Sequence, residues 1–221
     1  MRLTYALPCL LIFSWLMAAC IAPTTAPTAT NDGQLNVVTT VSPITNIVYN
    51  IGGERINLTG IVPEGTNSHT FEPAPSDAKT LAQADLIFIN GLKLEEPTLE
   101  LAEANKKMDA EIILLGEQTI TPAEYAYDFS FPKAAGSPNP HLWPNPLYAL
   151  RYAELARDAL VRRDRTNADY YNQNYTAFKA RIEALDQAIQ ATIASIPEAV
   201  SYTHLRAHET KANLVCRLLL E

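Results

Sequence analysis

Four short apolar runs alternate with segments of helical periodicity between residues 35 and 115. The apolar runs cover residues 35–40, 56–62, 85–90 and 111–115. Between the first two, Ser42-Pro43 resembles a helix cap followed by a first-turn proline, and apolar residues then recur every three or four positions. Further helices are expected from residue 75 and over 97–108. This alternation predicts an α/β fold with a four-stranded parallel sheet and flanking helices.

The pattern becomes wholly helical after residue 146. A first helix is expected to about residue 165, with one face formed by Tyr148, Tyr152, Leu155 and Ala159. A second helix is expected over 167–195, with apolar residues at steps of three and four. At 1.5 Å per residue it measures about 43 Å, which is longer than a small domain needs. We interpret it as a backbone helix, or spine, that joins two lobes.

The N-terminus has the pattern of an export signal. A positive start at Arg2 precedes a mostly apolar stretch and the small residues before Cys20. We interpret residues 1–19 as a signal peptide and Cys20 as a lipid-modified anchor, followed by a flexible tether over 20–34. The alternative is an ordinary signal peptide with a chance cysteine. Removal of the signal leaves Cys20 and Cys216, so lipidation of Cys20 excludes an intrachain disulfide.

Residues 200–221 do not continue the α/β pattern. They open no further strand and resemble a translated sequencing-adapter tail. We expect native coding to end near Ala199, so that residues 197–221 combine a short native end with a non-native tail. The domain prediction is therefore an N-terminal lobe over 35–143, backbone helices over 144–196, and no C-terminal lobe.

Charge and composition narrow the class of partner. The formal net charge of -7 argues against a nucleic-acid partner, because nucleic-acid binding requires a basic face.

A loop of more than twenty residues over 116–139 has little pattern, and loops of that length usually have a function or are disordered. It contains no histidine.

Two histidines occupy matching places in the predicted topology. His69 follows the second strand, His141 follows the fourth, and prolines flank both loops. The carboxyl ends of parallel strands lie at one edge of a sheet, which is where ligands bind. We predict that His69 and His141 form half of a metal site. Taken singly, each is better explained as a hydrogen-bonded loop histidine, and it is the pair in matching positions that favours metal ligands.

Other candidate residues have simpler explanations. His204 and His208 have helical metal-pair spacing, but they lie in the suspect tail and lack glutamate directly after the first histidine. Glu72, Asp77 and Asp85 are expected to be helix-start or solvated charges. Trp143 is expected to pack rather than to bind a ligand.

Three segments resemble one known family, the metal-binding lipoproteins of bacterial ABC importers for zinc or manganese. They are GTNSHTFEPAPSD at residues 65–77, AQADL at 82–86 and NPHLW at 139–143. The helix over 167–195 also resembles the long backbone helix of that family. Asn139 stands where the family often has Asp. The resemblance extends from the Cys20 region to about Ala199.

The resemblance implies a function and a set of metal ligands. His69 and His141 correspond to the two N-lobe ligands for a transported divalent ion, Zn²⁺ or Mn²⁺. A His or Glu and an Asp from a C-terminal lobe complete the family's site, and no position here matches them. The implied partners are a membrane permease and, through the lipid anchor, the membrane. The implied location is the periplasm or the outer face of the cytoplasmic membrane.

Two alternatives remain open at this point. A surface adhesion lipoprotein would not depend on His69. A secreted zinc hydrolase using His69 and His141 would need a third ligand, an open coordination position and a general base, and no such set is visible. We therefore expect a protein that is not an enzyme. The metal also stays open, because the ligand that would discriminate zinc from manganese is missing.

Overall fold

The computed structural model describes residues 33–196. They form a four-stranded parallel sheet with helices on both faces, followed by two long helices, which confirms the predicted fold class. The strands are β1 (Leu35–Thr39), β2 (Ile56–Gly60), β3 (Leu86–Ile89) and β4 (Glu111–Leu114). The helices are α1 (Ser42–Gly52), α2 (Pro75–Gln83), α3 (Glu96–Asn105), α4 (Pro146–Arg163) and α5 (Ala168–Ala194). The predictions for Cys20, Cys216, His204 and His208 concern positions outside the described residues.

The sheet has the strand order β2-β1-β3-β4, with β1 and β3 at its centre. All four residues of β3 are buried, as a strand covered on both faces requires. Leu86 and Phe88 pack on the side of α1, α4 and α5, while Ile87 and Ile89 pack on the side of α2 and α3. Successive side chains of β3 point to opposite faces of the sheet, so this strand contributes to an apolar core on each face.

Two local predictions about helix starts had different outcomes. The α1 prediction was wrong in detail, because the helix begins at Ser42 and the capping position is Val41, without a side-chain hydrogen bond. At α2 the helix-start role of Asp77 is confirmed: its Oδ2 accepts the backbone N–H of Ala74 at 2.8 Å.

Asp85 is not the solvated or helix-start charge that the sequence suggested. Its carboxylate accepts hydrogen bonds from Lys107 Nζ at 2.6 Å and from the backbone N–H of Asn36 at 2.7 Å. It also lies 3.9 Å from Arg163 Nη2. Asp85 thus links the start of β1, the start of β3 and the end of α4 at the edge of the sheet opposite the histidines.

The two long helices pack against α1 and against each other. On α4, Tyr152 and Ala159 are fully buried as predicted, whereas Tyr148 and Leu155 are only partly buried. On α5 the apolar stripe is buried at Tyr171 and Phe178, but Leu185 is 50% exposed. In the region that the structure describes, no helix combines the length and apolarity needed to cross a bilayer.

Candidate metal centre

His69 lies in the loop between β2 and α2, within a single 3-10 turn at Ser68–Thr70. Asn67 organises this turn: its Oδ1 accepts the backbone N–H of His69 at 3.1 Å, and its carbonyl accepts the N–H of Thr70 at 3.2 Å. Asn suits such a position because its side chain can bond to backbone two residues further on. The turn presents the exposed His69 above the carboxyl end of the sheet.

His141 lies in the loop between β4 and α4 and is held more firmly. The Oδ1 atom of the buried Asn139 accepts the backbone N–H of His141 at 3.0 Å and bonds to its Nδ1 at 2.8 Å. The carbonyl of Pro140 accepts a hydrogen bond from Asn90 Nδ2 at 3.0 Å. Asn90 directly follows β3, so the His141 loop is tied to the centre of the sheet.

The two imidazoles meet although 72 residues separate them in the chain. Their Nε2 atoms are 3.1 Å apart, and their ring centroids are 5.1 Å apart. Two nitrogens bound to one tetrahedral Zn²⁺ at 2.0–2.1 Å lie about 3.3 Å apart. The separation in the structure therefore matches what two ligands of one ion require.

Aromatic rings border the histidine pair. Phe131 lies 5.6 Å from the ring centroid of each imidazole, and Trp143 packs edge-on against His141 at 5.2 Å. Trp143 also contacts the main apolar core, which confirms its predicted packing role. Phe131 comes from the long loop before His141, which the sequence left without a structural role.

A buried polar network supports the His141 loop from below. Asn90 Oδ1 accepts the hydroxyl proton of Tyr152 at 2.8 Å, and Glu95 Oε1 accepts the Asn90 backbone N–H at 2.9 Å. The same Glu95 oxygen accepts the hydroxyl of Thr40 at 2.5 Å. Sequence reasoning missed this network, because no motif marks it. The one available signal was a pair of polar residues, Thr40 and Asn90, directly after the two central strands.

Burial shapes the acidity of two members of this network. It raises the pKa of the Glu95 carboxyl, against the opposing effect of hydrogen bonds from Thr40, Asn90 and Gly91. It also raises the pKa of the Tyr152 hydroxyl, with smaller contributions from the negative charges of Glu95 and Glu117. The tyrosine is therefore a hydrogen-bond donor at any ordinary pH.

Within residues 33–196, no group of three or more histidine, cysteine, aspartate or glutamate side chains is placed to hold a metal ion. The described part of the chain thus brings two imidazole nitrogens together without a third side chain of these four types. That His69 and His141 are two ligands of a metal site stays a prediction.

Comparison with known proteins now identifies the family. A family model described as ZnuA, zinc-uptake complex component A periplasmic, matches residues 37–208, which is more than half of the chain. The chain belongs to this family. The family resemblance predicted from the histidine motifs and the backbone helix is therefore confirmed.

Individual relatives of this ZnuA-family chain agree with the assignment. It is 33% identical over 194 residues to the metal ABC transporter substrate-binding lipoprotein FimA of Streptococcus parasanguinis, covering 86% of this chain and 61% of that protein. It is 34% identical over 186 residues to the manganese ABC transporter substrate-binding lipoprotein PsaA of Streptococcus pneumoniae, covering 82% and 58%. The chain thus spans about three fifths of the length of these relatives.

A solved structure shows the same fold. The periplasmic zinc-binding protein TroA from Treponema pallidum superposes with a TM-score of 0.66 at 22% identity, over 75% of this chain and 57% of that one. At 22% identity this structural similarity supports the fold alone.

Proposed function

We propose that this ZnuA-family chain captures a divalent transition metal ion, Zn²⁺ or Mn²⁺, outside the cytoplasmic membrane for delivery to the permease of an ABC importer. His69 and His141 are the two metal ligands that the described residues supply. The observation that carries the proposal is the 3.1 Å approach of their Nε2 atoms at the carboxyl edge of the sheet. Neutral imidazole is the commonest protein ligand for such ions.

The relatives support the choice of cargo and the binding role. The family model is described as a zinc-uptake component, and PsaA is named a manganese ABC transporter substrate-binding lipoprotein. Imidazole nitrogen suits zinc, and the harder manganese prefers added carboxylate oxygen. Two histidines alone do not discriminate between the ions, so the cargo is proposed as either. The relatives' names describe substrate binding, which favours a receptor over the adhesion and hydrolase alternatives.

The proposal also includes the location. Relatives of this chain are named lipoproteins, and Cys20 follows a segment with the pattern of an export signal. We propose that Cys20 carries the lipid and holds the protein on the outer face of the cytoplasmic membrane or in the periplasm. Mass spectrometry of the mature protein is expected to find a lipid-modified Cys20 as the first residue. An unmodified N-terminus at or before Ile21 would contradict the anchor.

The metal-binding test uses the full chain and calorimetric titration with Zn²⁺ and Mn²⁺. Since only two protein ligands are present in the described region, we expect weak binding. His69→Ala and His141→Ala are each expected to lower the affinity by at least about tenfold, because changes to mere outer partners of metal ligands already cost 10–100-fold.

A double variant, His204→Ala with His208→Ala, is the control. It removes the same number of imidazoles as both ligand substitutions together, from positions that we do not propose as ligands. Unchanged affinity in this control, with loss in both ligand variants, supports the assignment. Equal loss in all variants, or retention of affinity without His69 and His141, would refute it.

A further inference from the structure

Asp128 lies behind the histidine pair, in the long loop that precedes His141. Its Oδ2 accepts a hydrogen bond from Asn139 Nδ2 at 2.8 Å. A carboxylate only accepts hydrogen bonds, so it attracts the amide NH₂ of Asn139 and turns the amide oxygen the other way. That oxygen faces His141, where it meets the backbone N–H and Nδ1.

The orientation of Asn139 determines which nitrogen of His141 carries the proton. An amide oxygen is an acceptor, so its 2.8 Å contact with Nδ1 requires a proton on Nδ1. The neutral ring then has its lone pair on Nε2, and Nε2 is the atom that faces His69. If the amide were reversed, its NH₂ group would face Nδ1 and favour the opposite tautomer, with the proton on the metal-facing nitrogen.

The Asp128 carboxylate is itself held in place. Its Oδ1 accepts the backbone N–H groups of Ser130 at 2.7 Å and of Phe131 at 3.0 Å. The backbones of Asp128 and Phe131 also exchange two hydrogen bonds, at 3.0 and 3.2 Å. The same tight turn places the Phe131 ring 5.6 Å from each imidazole. One carboxylate therefore organises both the polar support of His141 and the aromatic side of the site.

We propose that Asp128 is a positioning residue for the metal site. Acting through Asn139, it holds His141 in the tautomer that carries the ring's lone pair on Nε2, the nitrogen proposed to bind the metal ion. Asn139 is neutral, so Asp128 supplies from the loop the negative charge that supports the imidazole. The inference rests on the proposed function for its purpose, but the tautomer that it specifies exists without a metal.

The test reads the tautomer directly. In the full chain without metal, long-range ¹H–¹⁵N NMR distinguishes a protonated from an unprotonated ring nitrogen of His141. We expect the proton on Nδ1 in the wild type. Asp128→Asn has a single acceptor oxygen for both the turn and Asn139, so the Asn139 amide loses the acceptor that fixes its orientation. We therefore expect this variant to populate the Nε2–H form of His141 and to lower Zn²⁺ affinity by about 10–100-fold.

A second substitution separates positioning from general damage to the loop. Adding Asn139→Asp to Asp128→Asn places an acceptor-only carboxylate beside His141 Nδ1, and we expect it to restore the Nδ1–H tautomer and most of the affinity. Glu124→Gln is the matched control, because Glu124 also accepts hydrogen bonds in this loop, from Thr121 N and Oγ1 at 2.8 Å each, and does not contact the site. It is expected to leave the tautomer and affinity unchanged.

The outcomes separate this inference from the proposed function. A wild-type proton on Nε2, or an Asp128→Asn variant with unchanged tautomer and affinity, would overturn the positioning role. The wild-type tautomer alone can refute it, even where Asp128→Asn fails to fold. An Nδ1–H tautomer that depends on Asp128, in a chain that binds neither ion, would support the positioning and refute the proposed metal capture.

Discussion

Substitution of Tyr152 by phenylalanine tests the buried network beneath the His141 loop. The hydroxyl of Tyr152 donates to Asn90 Oδ1 at 2.8 Å, and both residues are fully buried. Asn90 in turn donates to the carbonyl of Pro140, next to His141. Tyr152→Phe removes one atom and keeps the packed ring, so it isolates the hydrogen bond from the packing.

The expected loss of stability comes from the buried hydrogen-bond acceptor that the substitution leaves without its donor. Asn90 Oδ1 loses its hydroxyl donor in a site with no exposure, and a buried polar group left without its partner costs about 1–3 kcal/mol. For a chain of this size, each kcal/mol lowers the melting temperature by about 2–4 °C. We therefore expect a decrease of about 2–12 °C.

Thermal melts measure the decrease in melting temperature, and urea unfolding measures the loss in the free energy of unfolding. The slope of that free energy against denaturant concentration is expected to stay constant. Tyr49→Phe is the matched control, because the Tyr49 side chain is 51% exposed and its hydroxyl bonds to Glu54 at the surface at 3.1 Å. We expect that control to change stability by no more than about 0.5 kcal/mol. Equal losses in the two variants, or no loss in Tyr152→Phe, would show that the buried bond does not support the fold.

Two further predictions concern stability. Folding raises the pKa of the Glu95 carboxyl above its ordinary value near 4.5, so the folded state binds this proton more tightly. The resulting stabilisation is fully present below the pKa of the unfolded state and is lost as the pH rises through the pKa of the folded state. Urea unfolding at a series of pH values should show this decline in the wild type and a flatter profile in Glu95→Gln, and identical profiles would contradict the raised pKa. On α5, Phe178→Ala is expected to cost about 3–5 kcal/mol and the half-exposed Leu185→Ala at most about 0.5 kcal/mol; a reversed order in thermal melts would contradict the observed docking of this helix.

Much of the fold could be predicted because its strands and helices carry strong local patterns. The run at 85–90 is continuously apolar, and β3 is buried on both sides. The errors arose where tertiary contacts decide the outcome. Asp85 looked like a surface charge because its partner Lys107 is 22 residues away and follows another helix. The stripe on α5 gave no sign that Phe178 is buried while Leu185 is half exposed.

The candidate site was predictable only in its two histidines. Parallel topology brings the carboxyl ends of the strands to the same end of the sheet, so the sequence alone predicts that His69 and His141 lie close together. Asp128 could not be found in this way. It lies in a loop without periodicity, eleven residues before its partner Asn139, and no pattern in the chain links the two. Loop positions of this kind depend on turn hydrogen bonds that only a three-dimensional structure reveals.

The most direct test of the proposed metal site is anomalous X-ray scattering from crystals of the full chain grown with Zn²⁺. The account predicts one strong zinc peak at 2.0–2.1 Å from both His69 Nε2 and His141 Nε2. A peak bound to neither histidine, or no ordered zinc near this pair, would contradict the claim that the two imidazoles form half of a metal site.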